Sequence, residues 1–233
     1  MSILFSKPTA LSIGPQGCGS DILHAYFKKR KDVALPNVHE IFYFDRHIQR
    51  GPDFYKEHFE DYKSADLVME VTTTAFDHPQ APLRVKNLLG EDVKLFCPLR
   101  DPVERSLEIY KQYLRYGIVK GGIEEACQQA PQILFASRYA DHLEIWFEQF
   151  EEIHFISYDA LTQNREETLI KLCDFLGIVY EPMQKKTPWE DMLGRVRIFM
   201  GDKKTPDHSV REWLKGELAD EKQRLHALVG QKL

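Results

Sequence analysis

Ala10-Leu11-Ser12-Ile13-Gly14-Pro15-Gln16-Gly17-Cys18-Gly19-Ser20-Asp21-Ile22-Leu23 is the stretch on which the reading of this chain turns. Residues 10–13 read as a short apolar strand that runs into a turn with three glycines, residues 14–20. Residues 21–31 then place Ile22, Leu23, Tyr26 and Phe27 on one helical face. Glycines let main-chain amides crowd round an anion, and the start of the following helix adds unpaired N–H groups and the positive end of its dipole. Such a unit suits a phosphate. An ordinary tight turn between strand and helix has the same local pattern. The turn is not a Walker A sequence either, because no Gly-Lys-Ser/Thr supplies the lysine and the magnesium-ligand hydroxyl of a P-loop kinase.

Outward from this unit, strand-like and helix-like segments alternate. Residues 40–45, 67–71, 93–99 and 153–158 read as further strands. Helices are expected at about 51–62, 102–116, 137–149, 165–176 and 209–228. The alternation predicts an α/β fold, a three-layer sandwich with a central parallel sheet. Asp101-Pro102-Val103-Glu104 carries its own start signal: an N-cap, a proline at the first helical position and a glutamate three residues after the cap. Residues 180–206 hold three prolines, two glycines and the Lys185-Lys186 pair, and read as an irregular loop closing over a site. Residues 47–53, 76–84 and 117–132 read as variable loops around an acceptor.

Composition bounds the class. A chain of 233 residues with 43% hydrophobic content can bury one substantial core, so one domain over residues 1–233 is expected. Lys plus Arg total 31 against 36 for Asp plus Glu, and the net charge of -5 gives no reason to expect broad contact with nucleic acid or an anionic membrane. Cys18, Cys97, Cys127 and Cys173 are far apart in or beside apolar segments, which suits reduced thiols and a cytoplasmic setting. His24, His58, His78 and His142 show no ligand spacing, so no metal is expected. No apolar run approaches the ~18 residues of a spanning helix. Lys7 and Pro8 interrupt what would be a signal core.

Residues 13–23 resemble the 5′-phosphosulfate loop of the sulfotransferases that use 3′-phosphoadenosine 5′-phosphosulfate (PAPS), especially the heparan sulfate N- and 3-O-sulfotransferase group. Glu40-Ile41-Phe42-Tyr43-Phe44-Asp45, then residues 51–55, are similar to that group's Glu-Val-x-Phe-Phe-Asp strand and Gly-x-x-Trp-Tyr helix start. Leu99-Arg100-Asp101-Pro102-Val103-Glu104-Arg105, with Tyr110 further on, resembles its 3′-phosphate segment, Arg-Asp-Pro-x-x-Arg. Residues 137–147, 155–161 and Phe175-Leu176-Gly177 fit its C-terminal half.

The resemblance implies in-line transfer of a sulfuryl group from PAPS, a co-substrate, to a hydroxyl or amine of a carbohydrate or small-molecule acceptor. It places Pro15, Gln16, Gly17, Cys18, Gly19, Ser20 and Asp21 on the phosphosulfate, Arg100 on the 3′-phosphate and Glu40 as base. Arg195, Lys203 and Lys204 correspond to its basic nucleotide loop. His39, beside Glu40, is a further candidate for proton transfer. The plainer readings are a strand-end carboxylate and histidine, a sheet-end salt bridge at Arg100 and a solvated basic loop.

Three departures stand out. The lysine or arginine of the family's loop is Gly17, the serine eight residues after Arg100 is Glu108, and the Lys-x-Pro after the second strand is Val71-Thr72-Thr73. Ser106 sits about 200° from Glu108 round the helix and does not replace the lost serine. These departures keep open a second reading, a protein of this fold that binds another anion or a protein partner.

Overall fold

The computed structural model describes residues 7–59, 65–183 and 208–230. Its centre is a five-stranded sheet in the order β2-β3-β1-β4-β5, parallel at every pairing. The strands are β1 (Ala10–Ser12), β2 (Val33–Ala34), β3 (Leu67–Val71), β4 (Lys94–Leu99) and β5 (His154–Ser157). Parallel strands need crossovers, and the helices supply them: α1 (Ser20–Phe27), α2 (Gly51–Lys56), α3 (Ala81–Leu89), α4 (Pro102–Arg115), α5 (Ile123–Gln129), α6 (Gln132–Phe135) and α7 (Tyr139–Phe147) before β5. After β5 come α8 (Tyr158–Gln163) and α9 (Arg165–Leu176), and then the helices His208–Glu217 and Glu221–Val229.

Strand alternation splits the core into two layers. Leu11, Ile13, Val68, Leu95 and Cys97 face a cluster with Val85 of α3 and Tyr139, Leu143 and Trp146 of α7. Ala10, Met69, Phe96 and Ile156 face the other way, against Leu23 and Phe27 of α1, Leu161 of α8 and Leu169 and Leu172 of α9. This is the predicted three-layer α/β sandwich. A third cluster packs α4, α5 and α6 against Leu214 and Leu218.

The Asp101 cap forms as expected, its carboxylate accepting from Val103 N at 2.9 Å and Glu104 N at 3.1 Å. Other expectations need correction. Residues 40–45 are no strand but an irregular turn, in which Phe42 takes a left-handed φ of 54°. The helix expected over 51–62 is α2 followed by a 3-10 turn at Glu57–Phe59. The segments 76–84 and 117–132 contain the start of α3 and all of α5, and the C-terminal helix is two helices. Most of the expected loop over 180–206 lies outside the described residues.

Candidate active site

The C-terminal ends of the parallel strands carry the site. The turn from β1 to α1 passes so close to β4 that a Cβ at Gly14 would lie 2.4 Å from Cδ of Pro98, so only glycine fits there. Gly17 and Gly19 then take left-handed φ values of 91° and 96°. Gly19 is the N-cap of α1, and no side chain caps the helix, which leaves its first amides for a ligand. Pro15 is buried, Gln16 and Ser20 are half-buried, and Asp21 is exposed in the first turn of α1. Cys18 contributes backbone alone: its Sγ points inward to Tyr139 Oη at 3.7 Å, and burial raises the thiol pKa.

Two guanidinium groups grasp the loop. Arg105, on the first turns of α4 and 2% exposed, donates through Nε to Gln16 O at 2.9 Å. Its Nη1 reaches Gln132 O, Ile133 O and Ser137 Oγ at 2.8, 3.2 and 3.2 Å. Arg100, at the end of β4, donates from Nη1 to Gly17 O at 3.4 Å and lies 4.5 Å from the centre of the Tyr158 ring. Glu108 Oε2 is 3.7 Å from the same nitrogen. Ser106 is turned away, donating to Ser137 Oγ at 2.8 Å inside the fold. Two guanidinium groups thus lie beside the loop, one from α4 and one from the end of β4.

Glu40 accepts a hydrogen bond from Thr73 Oγ1 at 2.7 Å. Burial raises its pKa above the ordinary carboxylate value; Asp45 adds to the rise, while the Thr73 bond and the charges of His39 and Arg46 oppose it. Gln16, Thr73, Thr74, Asp45, Asp77 and Arg105 line one cleft of about 620 Å³. His39 belongs elsewhere. Its ring lies 4.1 Å from that of His24, and both line a separate pocket of about 310 Å³ with Lys28 and Asn37. Arg195, Lys203 and Lys204 lie outside the described residues. Among the described residues no group of three or more His, Cys, Asp or Glu is placed to hold a metal ion.

Comparison with known proteins settles the family, since the model of the sulfotransferase domain matches residues 7–224. The chain belongs to the sulfotransferase domain family. The chain is 28% identical to the heparan sulfate glucosamine 3-O-sulfotransferase 3B1 of Mus musculus over 185 residues, covering 73% of this chain and 46% of the relative. It is 34% identical to the membrane-associated sulfotransferase kil1 of Dictyostelium discoideum over 110 residues, 46% of this chain and 23% of that one. The chain thus spans less than half the length of these curated relatives. Its fold matches a solved sulfotransferase from Alicyclobacillus acidocaldarius with a TM-score of 0.79 at 19% identity, covering 98% of both chains. Among the described residues no helix is long and apolar enough to cross a membrane.

Sequence reasoning does not single out Thr73 or Arg105 as site residues. Thr73 ends the Val71-Thr72-Thr73 segment that departs from the family pattern, and its value comes from the chain bringing Glu40 beside it. Arg105 sits inside the quoted Arg-Asp-Pro segment, but its partners at 132–137 are set by tertiary packing.

Proposed function

We propose that this sulfotransferase moves the sulfuryl group of PAPS to a hydroxyl or amine of a carbohydrate or small-molecule acceptor. The observation that carries this reading is the meeting of the Gln16 loop with Thr73, the partner of Glu40, on one cleft. In the transfer, the acceptor oxygen or nitrogen bonds to sulfur and the sulfur–oxygen bond to the 5′-phosphate breaks. The acceptor proton goes to Glu40 and 3′-phosphoadenosine 5′-phosphate leaves. A buried carboxylate with a raised pKa suits the base. Main-chain amides of residues 16–21 hold the phosphosulfate, Arg100 pairs with the 3′-phosphate, and Arg195, Lys203 and Lys204 complete the nucleotide site. His39 lines the separate pocket with His24.

Charge develops on the leaving phosphate, and one preorganised donor to such charge is worth about 2.7 to 4 kcal/mol. Gly17 offers no side chain, so Arg100 and Arg105, anchored on the loop carbonyls, carry that role through their fields. On the acceptor side, Asp45 Oδ1 and Thr74 Oγ1 are buried at the cleft with no hydrogen-bond partner among the described residues. Oxygens of this kind suit an acceptor that brings hydroxyl groups.

The reading treats the chain as one domain, because Leu225 and Val229 near its end pack in the same core as Leu11 of β1. It also favours a reducing compartment such as the cytoplasm, in keeping with four free thiols. The test is transfer of labelled sulfate from PAPS to a panel of sugars, phenols and aliphatic alcohols. The reading expects turnover with at least one acceptor and its loss in Glu40→Ala. Hydrolysis or binding without transfer to any hydroxyl or amine would count against it.

A further inference from the structure

β3 reads Leu67-Val68-Met69-Glu70-Val71, and strand alternation sends Val68 and Glu70 to the sheet face that packs Leu11, Tyr43, Phe44, Tyr55 and Phe59. Glu70 is fully buried there. A Val or Leu at such a position is worth about 1.5–3 kcal/mol of burial, whereas a buried carboxyl group costs stability unless its oxygens are satisfied. They are satisfied only in part. Oε2 accepts from the Tyr55 hydroxyl at 2.8 Å, and Oε1 has no hydrogen-bond partner among the described residues. The main-chain N–H of Ile41 lies against the same carboxylate and favours its ionised form. Ile41 follows Glu40, and the next residue, Phe42, is the one non-glycine residue with positive φ among those described. Such a conformation costs about 1–2 kcal/mol and persists where the surroundings hold it. β3 and its exit therefore grip this turn twice, through Thr73 on the Glu40 carboxylate and through Glu70 beside Ile41.

We propose that Glu70 is a positioning residue of the transfer reaction, which holds the strained 40–45 turn through Tyr55 and Ile41 so that Glu40 keeps its approach to the cleft. The inference rests on the reading of Glu40 as the base. The groups that face Glu70 are Tyr55 from α2 and the Ile41 N–H, Glu40 and Asp45 from the turn. Burial above all, then the like charges of Glu40 and Asp45, push its pKa up to about 8 against the opposing Tyr55 and Ile41 contacts. Burial and the neighbouring carboxylates thus favour the protonated form of Glu70. Above that range Glu70 ionises, a second charge appears beside Glu40 in a poorly solvated place, and the two carboxylates repel across the turn.

The experiment measures transfer kinetics of the full chain across the neutral to alkaline range for the wild type, Glu70→Leu, Glu70→Gln and Glu40→Ala, with a melting curve for each. Glu70→Leu is expected to fold and to lower kcat by about tenfold to a hundredfold, the scale of a displaced catalytic group. KM for the donor should stay within about twofold, as no ground-state contact is removed. Glu70→Gln, which keeps the shape of the protonated carboxyl, is expected to recover most of that loss and to lack the fall in kcat expected of the wild type as Glu70 ionises. If Glu40→Ala is inactive while Glu70→Leu matches the wild type, the positioning role is overturned and the base stands. If Glu40→Ala keeps the wild-type rate, the reading of the base itself fails. Should Glu70→Leu not fold, the Glu70→Gln profile decides: an unchanged alkaline fall overturns the proposal.

Discussion

Arg100, just after β4, and Glu108, midway along α4, face one another with Nη1 and Oε2 3.7 Å apart. Glu108 stands where the family places a serine, and the pair occupies the arginine assigned to the 3′-phosphate. Glu108 is partly exposed, so solvent screens both its attraction to Arg100 and its repulsion of a phosphate. Removing it should release Arg100 and remove one like charge. Glu108→Ser is expected to tighten binding of 3′-phosphoadenosine 5′-phosphate by roughly threefold to tenfold, a change of about 1 kcal/mol. Titration at low and high salt checks this, and the gain should shrink as salt rises.

The hydrogen bond from Thr73 holds the ionised form of Glu40 against the desolvation that raises its pKa. Thr73→Val removes the donor, so the pKa of Glu40 rises further and more of the base is protonated at any acidic pH. The acidic limb of kcat/KM is expected to move to higher pH. The loss of rate should be greatest at the acid end and fade on the plateau, which a pH–rate profile of wild type and variant will read.

Restoring the family's lysine at position 17 does not follow from charge alone. Gly17 has a φ of 91°, and a Cβ there would sit 3.2 Å from Cδ1 of Ile109. Gly17→Lys is expected to cost about 1–2 kcal/mol of backbone strain and to lower Tm by roughly 2–8 °C. Gly117→Ala, at a φ of 68° with nothing within 4 Å, provides the comparison: strain without contact. A smaller drop at Gly117 than at Gly17 assigns the difference to the Ile109 contact.

What the sequence discloses here is mostly local chemistry. The β1 turn with Gly14, Gly17 and Gly19, and the cap at Asp101, are written in neighbouring residues, and both form where expected. The turn at 40–45 reads as a strand because its residues are aromatic and apolar; the positive φ of Phe42 is imposed by packing and leaves no local signature. α3 hides behind Pro79 and Pro82, although a proline in the first turn is compatible with a helix start. Glu70 looks like an outward-facing residue of an ordinary strand, yet both sheet faces are covered and it is buried. Arg105 is legible as a charge, but its role depends on carbonyls nearly 30 residues away in sequence.

The most direct test of the account is calorimetric titration of the full chain with 3′-phosphoadenosine 5′-phosphate, against adenosine 5′-phosphate as control. The account predicts binding in the micromolar range that requires the 3′-phosphate and weakens by about tenfold or more in Arg100→Ala, as loss of a charge-assisted contact demands. Equal binding of the two nucleotides, or no binding of either, would contradict it.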